Sequence, residues 1–295
     1  MSDELAFDSR PELERPVMIT AFRGWNDGGQ GASLAGAFLA RAWAAQPFAS
    51  IDGEGFYDFQ ATRPTVSLVD GLTRQIEWPE NTFLHAPLPG GGRDAIILLG
   101  VEPNLRWRTF CELVTGLARD FGTELVITLG SLLADVPHTR PAPVTGSATD
   151  QELIDRLGLQ ASRYEGPTGI VGVLHDACGR AGLASASLWA AVPHYVSLTP
   201  SPRAARALVV RLADLLGADV DTHELDEAAD AYAQQVSEAV ASDADTSAYV
   251  EELERRVDEL AEEVDLPSGE ALAAELTRFL RERENGGGND DVARG

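Results

Sequence analysis

"PVMITAFRGWNDGGQGASLAGAFLARAW" (residues 16–43) passes through three textures in one short stretch. PVMITAF (16–22) is an unbroken apolar run with no polar alternation, the mark of a strand covered on both faces. RGWNDGG (23–29) is a polar, glycine-bearing turn. From Gln30 to Trp43, Leu34/Phe38 and Ala35/Leu39 recur at i,i+4, which predicts a helix with an apolar face. Strand, glycine loop and helix in that order open an α/β domain.

The same grammar repeats downstream. DAIILLG (94–100), ELVITLG (124–130) and SASLWAAV (185–192) read as three more buried strands. Helices are predicted over 106–121, 150–158, 168–180 and 201–216. On the first of these Phe110, Leu113, Val114 and Leu117 form the apolar stripe; on the last Ala204, Leu208, Leu212 and Leu215 do. Such alternation implies a mostly parallel mixed sheet between helical layers. Residues 65–78 differ, with two alternating runs joined at Asp70-Gly71, a hairpin signal.

Charge divides the chain. It has 47 acidic and 23 basic residues, net −24, and every basic residue is arginine. Without lysine there is no Schiff base, Walker lysine or lysine general base. The charge argues against nucleic acid and anionic membranes as partners. Residues 1–220 are net −8, and residues 221–295 are net −16. The expected division is a flexible arm over 1–15, an α/β core over 16–220, an acidic helical extension over 221–283 and a disordered tail over 284–295. In the extension, helices are predicted over 226–237, 245–264 and 266–283. Val250, Leu253, Val257, Leu260 and Val264 form a two-heptad seam, short for a free coiled coil and suited to docking on the core or a neighbouring subunit.

No apolar run approaches the roughly 20 residues of a membrane span. The acidic start lacks the features of a signal peptide, so a cytoplasmic location is expected. Cys111 and Cys178 fall on predicted helices and read as buried structural thiols, without a disulfide framework or metal-type spacing.

Polar residues collect just after the four strands. In open α/β sheets that edge is where ligands bind. The candidate binding residues are Trp25, Asn26, Asp27, Gly28 and Gly29 in the first loop, and Glu102 and Arg106 in the second. The third loop offers His138, Thr139 and Arg140, and the fourth His194 and Tyr195. Tyr164, Glu165 and Gly166 precede the 168–180 helix. Each has a structural alternative. Asn26 or Asp27 would cap the following helix, Glu102 would pair with Arg106, and the histidines would bond backbone in loops stiffened by Pro137 and Pro193. Pro167 is expected at the first helical position. No metal ligand set and no cofactor are assigned, and no catalytic residue is identified.

Seven segments together carry a resemblance: RGWNDGG, EGFYDF (54–59), RP (63–64), GVEPNLRW (100–107), DVPHTRP (135–141), YEGPTG (164–169) and VPHY (192–195). In that order the chain resembles the proteasome assembly chaperone family, second type, in its bacterial, actinobacterial-like branch, from about residue 16 to 281. The resemblance implies a three-layer α/β/α core of phosphorylase/hydrolase type with a C-terminal helical part. It also implies self-association into rings or trimers, and relatives that act on proteasome-related particles. Two functions are open: a non-catalytic, homo-oligomeric assembly protein, or a small-molecule binder or hydrolase/phosphorylase-type enzyme using the strand-end loops. A docking surface should expose an apolar patch; an active site should be a pocket lined by perturbed titrating groups.

Overall fold

A computed structural model describes residues 4–90, 92–159 and 164–265. In chain order the strands are β1 (Leu5–Phe7), β2 (Val17–Arg23), β3 (Gln46–Ile51), β4 (Thr65–Val69), β5 (Thr73–Glu77), β6 (Asn81–Pro87), β7 (Asp94–Val101), β8 (Leu125–Ala134), β9 (Val144–Ala148) and β10 (Ser185–Pro193). The helices are α1 (Gly31–Ala42), α2 (Trp107–Asp120), α3 (Gln151–Leu157), α4 (Ile170–Arg180), α5 (Pro202–Leu216), α6 (His223–Ala241) and α7 (Ala244–Asp265).

Eight strands form one sheet in the order β1-β3-β6-β7-β2-β8-β10-β9. The four strands read from the sequence are its centre, and they are mutually parallel: β2 pairs with β7 and β8, and β8 with β10. Antiparallel strands flank them on both sides. Helices cover both faces. Val17, Ile19 and Ala21 of β2 join a core with α1 and α5, whereas Met18 and Phe22 join a second core with α2 and α4. A strand with two dry faces needs apolar residues at every position, which is why these runs show no alternation.

Topology fixes one functional edge. The carboxyl ends of β2, β7, β8 and β10 lie together because these strands are parallel. Asn81, which begins β6, pairs with Gly100 near the end of β7, and Ile51, which ends β3, pairs with Asn81. The whole connection 52–80 therefore starts and finishes at that same edge. It carries the β4–β5 hairpin, which turns at Asp70-Gly71 and forms its own two-stranded sheet.

Three sequence expectations change. The first fifteen residues are not simply a loose arm: Leu5–Phe7 pairs with β3, Phe7 stacks near Phe48 and Phe121, and Arg15 reaches Glu124 at 2.9 Å. Two apolar residues in a short acidic segment are enough to recruit it to the open sheet edge. The 168–180 helix starts at Ile170, so Pro167 lies outside it and not at its first position. Of the acidic seam, Val250 and Leu253 are buried while Leu260 is 61% exposed. The seam docks through its first turns only. On α6 the inward residues are Leu225, Ala229, Tyr232 and Val236. The helix expected over 266–283, the tail over 284–295 and the Val264 side chain lie outside the described residues.

Cys111 and Cys178 are buried free thiols, on α2 and α4, and burial pushes them up to about 12 and about 11.

Candidate functional site: two loop clusters at the carboxyl edge

The strand-end residues separate into two groups. The first is built around Glu102, just after β7. Its Oε2 accepts the Trp25 N–H at 2.8 Å and its Oε1 accepts the Ile170 N–H at 2.8 Å, the first donor of α4. Asn26 Oδ1 accepts the next one, from Val171, at 3.3 Å. Two glycines make this possible. A Cβ on Gly24 (φ +148°) would sit 2.6 Å from the Glu102 Cβ, and one on Gly169 would collide with Asn26 Oδ1 and Glu102 Oε1. Residues from three distant segments are thus tied by one carboxylate.

Asp27 closes the same loop from the other side. Its Oδ1 accepts the Ala32 and Ser33 N–H groups at 2.9 and 3.1 Å, capping α1 as the sequence suggests. Those are the donors that a phosphate would use at this helix end, so the glycine turn is already filled by the protein's own anion. Burial raises the Asp27 pKa, with hydrogen bonds from Ser33, Ala32 and Ser131 acting against it. Gly28 packs against the backbone of Ser131 and Leu132, and Gly29 against the Val192 side chain.

Glu102 and Arg106 do not pair. Arg106 turns the other way, onto Glu4, and lies over the Phe56 ring at 5.1 Å. The reason is that both Glu102 oxygens are occupied by backbone donors. Tyr164 donates to the Pro167 carbonyl at 2.8 Å, and Glu165 and Gly166 are exposed.

The second group is built around Tyr195. Its hydroxyl takes the His138 backbone N–H at 2.8 Å and lies 2.8 Å from His138 Nδ1. The hydroxyl has one proton to give and a second lone pair to accept with, so the ring tautomer sets the direction of this bond and the role left to the other ring nitrogen, Nε2. That nitrogen reaches Ser237 Oγ on α6 at 2.9 Å. Burial, followed by the charge of Arg203, lowers the His138 pKa. His194 is exposed and sits 3.1 Å from Asp135, with its ring against Tyr195 and Tyr249. The two histidines therefore meet through Tyr195.

Thr139 bonds Glu254, and Arg140 grips Asp258 with two bonds of 2.9 and 2.8 Å. This answers what the polar DVPHTRP loop does: it clamps α6 and α7 to the core. Among the described residues no hydrogen bond, ion pair or ring contact joins Glu102 to either histidine, and the loops after β2 and β8 are linked instead through Asn26, Asp27 and Ser131. Ser237, Tyr249, Glu254 and Asp258 were not foreseen. The one available signal was Arg140 against acids four apart, Glu254 and Asp258, on a predicted helix face.

Beside the Glu102 cluster runs a groove in two compartments of about 450 and 750 Å³, sharing Arg23, Gly24, Thr62 and Val101. No group of three His, Cys, Asp or Glu able to hold a metal occurs among the described residues. The edge is also apolar. Of the large hydrophobic side chains exposed among the described residues, all but Leu260 lie here. Trp25, Leu105 and Leu198 follow β2, β7 and β10, Leu132 and Leu133 end β8, and Tyr164 leads into α4. The rest belong to the 52–80 connection.

The model of the PAC2 family matches residues 21–240. A proteasome-assembly chaperone homologue of Mycobacterium tuberculosis has a similar solved structure, with 45% identity, a TM-score of 0.73, and coverage of 79% of this chain and 99% of that one. A PAC2 family protein of Streptomyces avermitilis is similar at 46% identity and TM-score 0.73, over 80% of this chain and 99% of that one. An archaeal proteasome activator of Pyrococcus furiosus shares the fold, at 21% identity and TM-score 0.64 over 80% and 97%. No curated protein matches the chain.

Proposed function

This chain belongs to the PAC2 family, and from that premise we propose that it is a non-catalytic, chaperone-like protein that binds proteasome-related polypeptides during their assembly. The observation carrying this reading is the collection of exposed apolar side chains at the carboxyl edge of the sheet. A chain of net −24 that leaves Trp25 64% exposed at the same sheet edge as the 50% exposed Leu105 has a surface suited to another protein. The groove beside Trp25 would receive a projecting segment of that partner.

The polar groups of the edge support the same reading. Glu102 and Asp27 hold helix ends, and His138, whose protonation is shifted, is committed to Tyr195 and Ser237. None is left poised for proton transfer in a pocket, as an enzyme would require. We read the working form as a homotrimer in the cytoplasm. The trimer follows the family resemblance, and no helix among the described residues is long and apolar enough to cross a membrane.

The test is reconstitution with purified cognate proteasome α- and β-subunits, following core-particle formation by native electrophoresis and peptidase activity. The wild-type chain is expected to bind subunits and speed assembly, and the double variant Trp25→Glu, Leu105→Glu to fold but lose both effects. No binding at micromolar concentration would overturn the reading.

A further inference from the structure

The β4–β5 hairpin forms a sheet of its own, and Thr65, Gln75, Ile76 and Glu77 near its base line the groove compartment of about 750 Å³. All of its strand residues are exposed or half-exposed, and it pairs with no other strand among the described residues. Register sorts its side chains. Val66 faces Ile76 and Leu68 faces Arg74 on one side, while Thr65, Ser67, Thr73, Gln75 and Glu77 occupy the other with Val69. One face is thus apolar with a single charge, Arg74, and Leu72 at the tip is 89% exposed. At its base the Trp78 ring lies against Phe59 at 4.8 Å.

A lone two-stranded ribbon is marginal in water, and an uncharged edge such as β4 invites pairing. A ribbon that depends on cover needs a partner present whenever the chain is present, and a second copy of the chain meets that condition.

The complementary surface is the end of β8. Pairing between β2 and β8 stops at Ala21↔Leu129, an isolated bridge follows at Asp27↔Ser131 and Gly28 covers the Leu132 backbone, so Leu133–Ala134 lies past the last β2-side partner. Leu133 is 56% exposed there, and the exposed carboxylate of Asp135 follows, answering Arg74, which has no ion pair among the described residues. In the sheet, β6 and β8 are three strand spacings apart, about 14 Å. Hairpin and β8 end are therefore distinct patches of one surface. Contact between two different patches is heterologous, and it closes a ring when the rotation from one protomer to the next divides a full turn.

The geometry points to the hairpin of one protomer laying its Val66–Leu68–Ile76 face on the Leu132–Leu133 end of β8 in the next, with Arg74 meeting Asp135. This rests on the self-association in the proposed function and supplies its contact.

Leu68→Glu and Leu133→Glu alter exposed side chains, so both variants are expected to fold, as circular dichroism and melting will verify. Light scattering at micromolar concentration should give a multiple of 31.5 kDa for the wild type and 31.5 kDa for each variant. Mixed one to one, the variants should form a two-chain species, because the intact hairpin of one meets the intact β8 end of the other. A single-chain wild type, a variant that keeps the wild-type mass, or a mixture that stays single-chain would each overturn the contact. If the contact fails while proteasome subunits still bind, the assembly role stands. If the ring forms as described and no subunit binds, the role falls and the contact stands.

Discussion

His138 and Tyr195 are joined twice through one oxygen, the Tyr195 hydroxyl lying 2.8 Å from both the backbone nitrogen and Nδ1 of His138. Removing that oxygen strands two polar groups of a residue with almost no solvent access. Tyr195→Phe is therefore expected to destabilise the chain by about 1–3 kcal/mol in urea unfolding, with little change in m. A variant as stable as wild type would show that water or a rotated ring replaces the hydroxyl.

The same contact gives a pH dependence. Burial holds His138 below its ordinary value of 6.5, so the folded state favours the neutral ring. Its contribution is complete above about 6.5 and is lost as pH falls below that value toward the folded pKa. Melting temperature should drop between pH 7.5 and 5.5, and His138→Gln should flatten that part of the profile while lowering stability at pH 7.5. An unchanged slope in the variant would assign the acid sensitivity elsewhere.

Glu102 fastens the loop after β2 to the start of α4. Hydrogen bonds to a charged group contribute about 1.5–3 kcal/mol. Glu102→Ala should cost about that much, and amide exchange at Trp25 and Ile170 should quicken selectively. Exchange rising everywhere equally would mean the carboxylate acts through global stability alone.

Asp27 separates cap from charge. Burial raises its pKa, so stability from this group is greatest below its unfolded value of 3.8 and declines as pH rises through the folded value. Asp27→Asn keeps the Oδ1 acceptor without the charge and should be near neutral at pH 7. Asp27→Ala loses the cap and should cost about 1 kcal/mol. Equal losses in the two variants would show that the charge itself is needed.

Gly24 holds φ +148° with its Cα hydrogens against Glu102. Gly24→Ala adds backbone strain and a collision, for an expected loss of about 1–3 kcal/mol. Combining it with Glu102→Gly should be clearly less than additive, since that change removes both the Cβ and the carboxylate that the new methyl would meet.

The central strands, the helices facing them and the Asp70-Gly71 hairpin were all legible in the residues, because apolar period and turn chemistry act between near neighbours. The Asp27 cap was legible for the same reason, acting across five residues. The antiparallel flanks were not read as such. β1 and β9 are short and only partly buried, so their apolar pattern is weak, and their place comes from the edges offered by β3 and β10.

The sequence alone determined that a buried parallel sheet would deliver polar loops to one edge, since doubly buried strands that alternate with helices are joined by crossovers and run parallel. It could not determine which loop groups meet there. Glu102 reaches Ile170 across 68 residues, His138 reaches Ser237 across 99, and Arg140 reaches Asp258 across 118. No local propensity records such pairings. They follow from strand order and from where the acidic helices come to rest, and only the assembled tertiary structure turns one predicted site into a groove-side tie and a helix clamp.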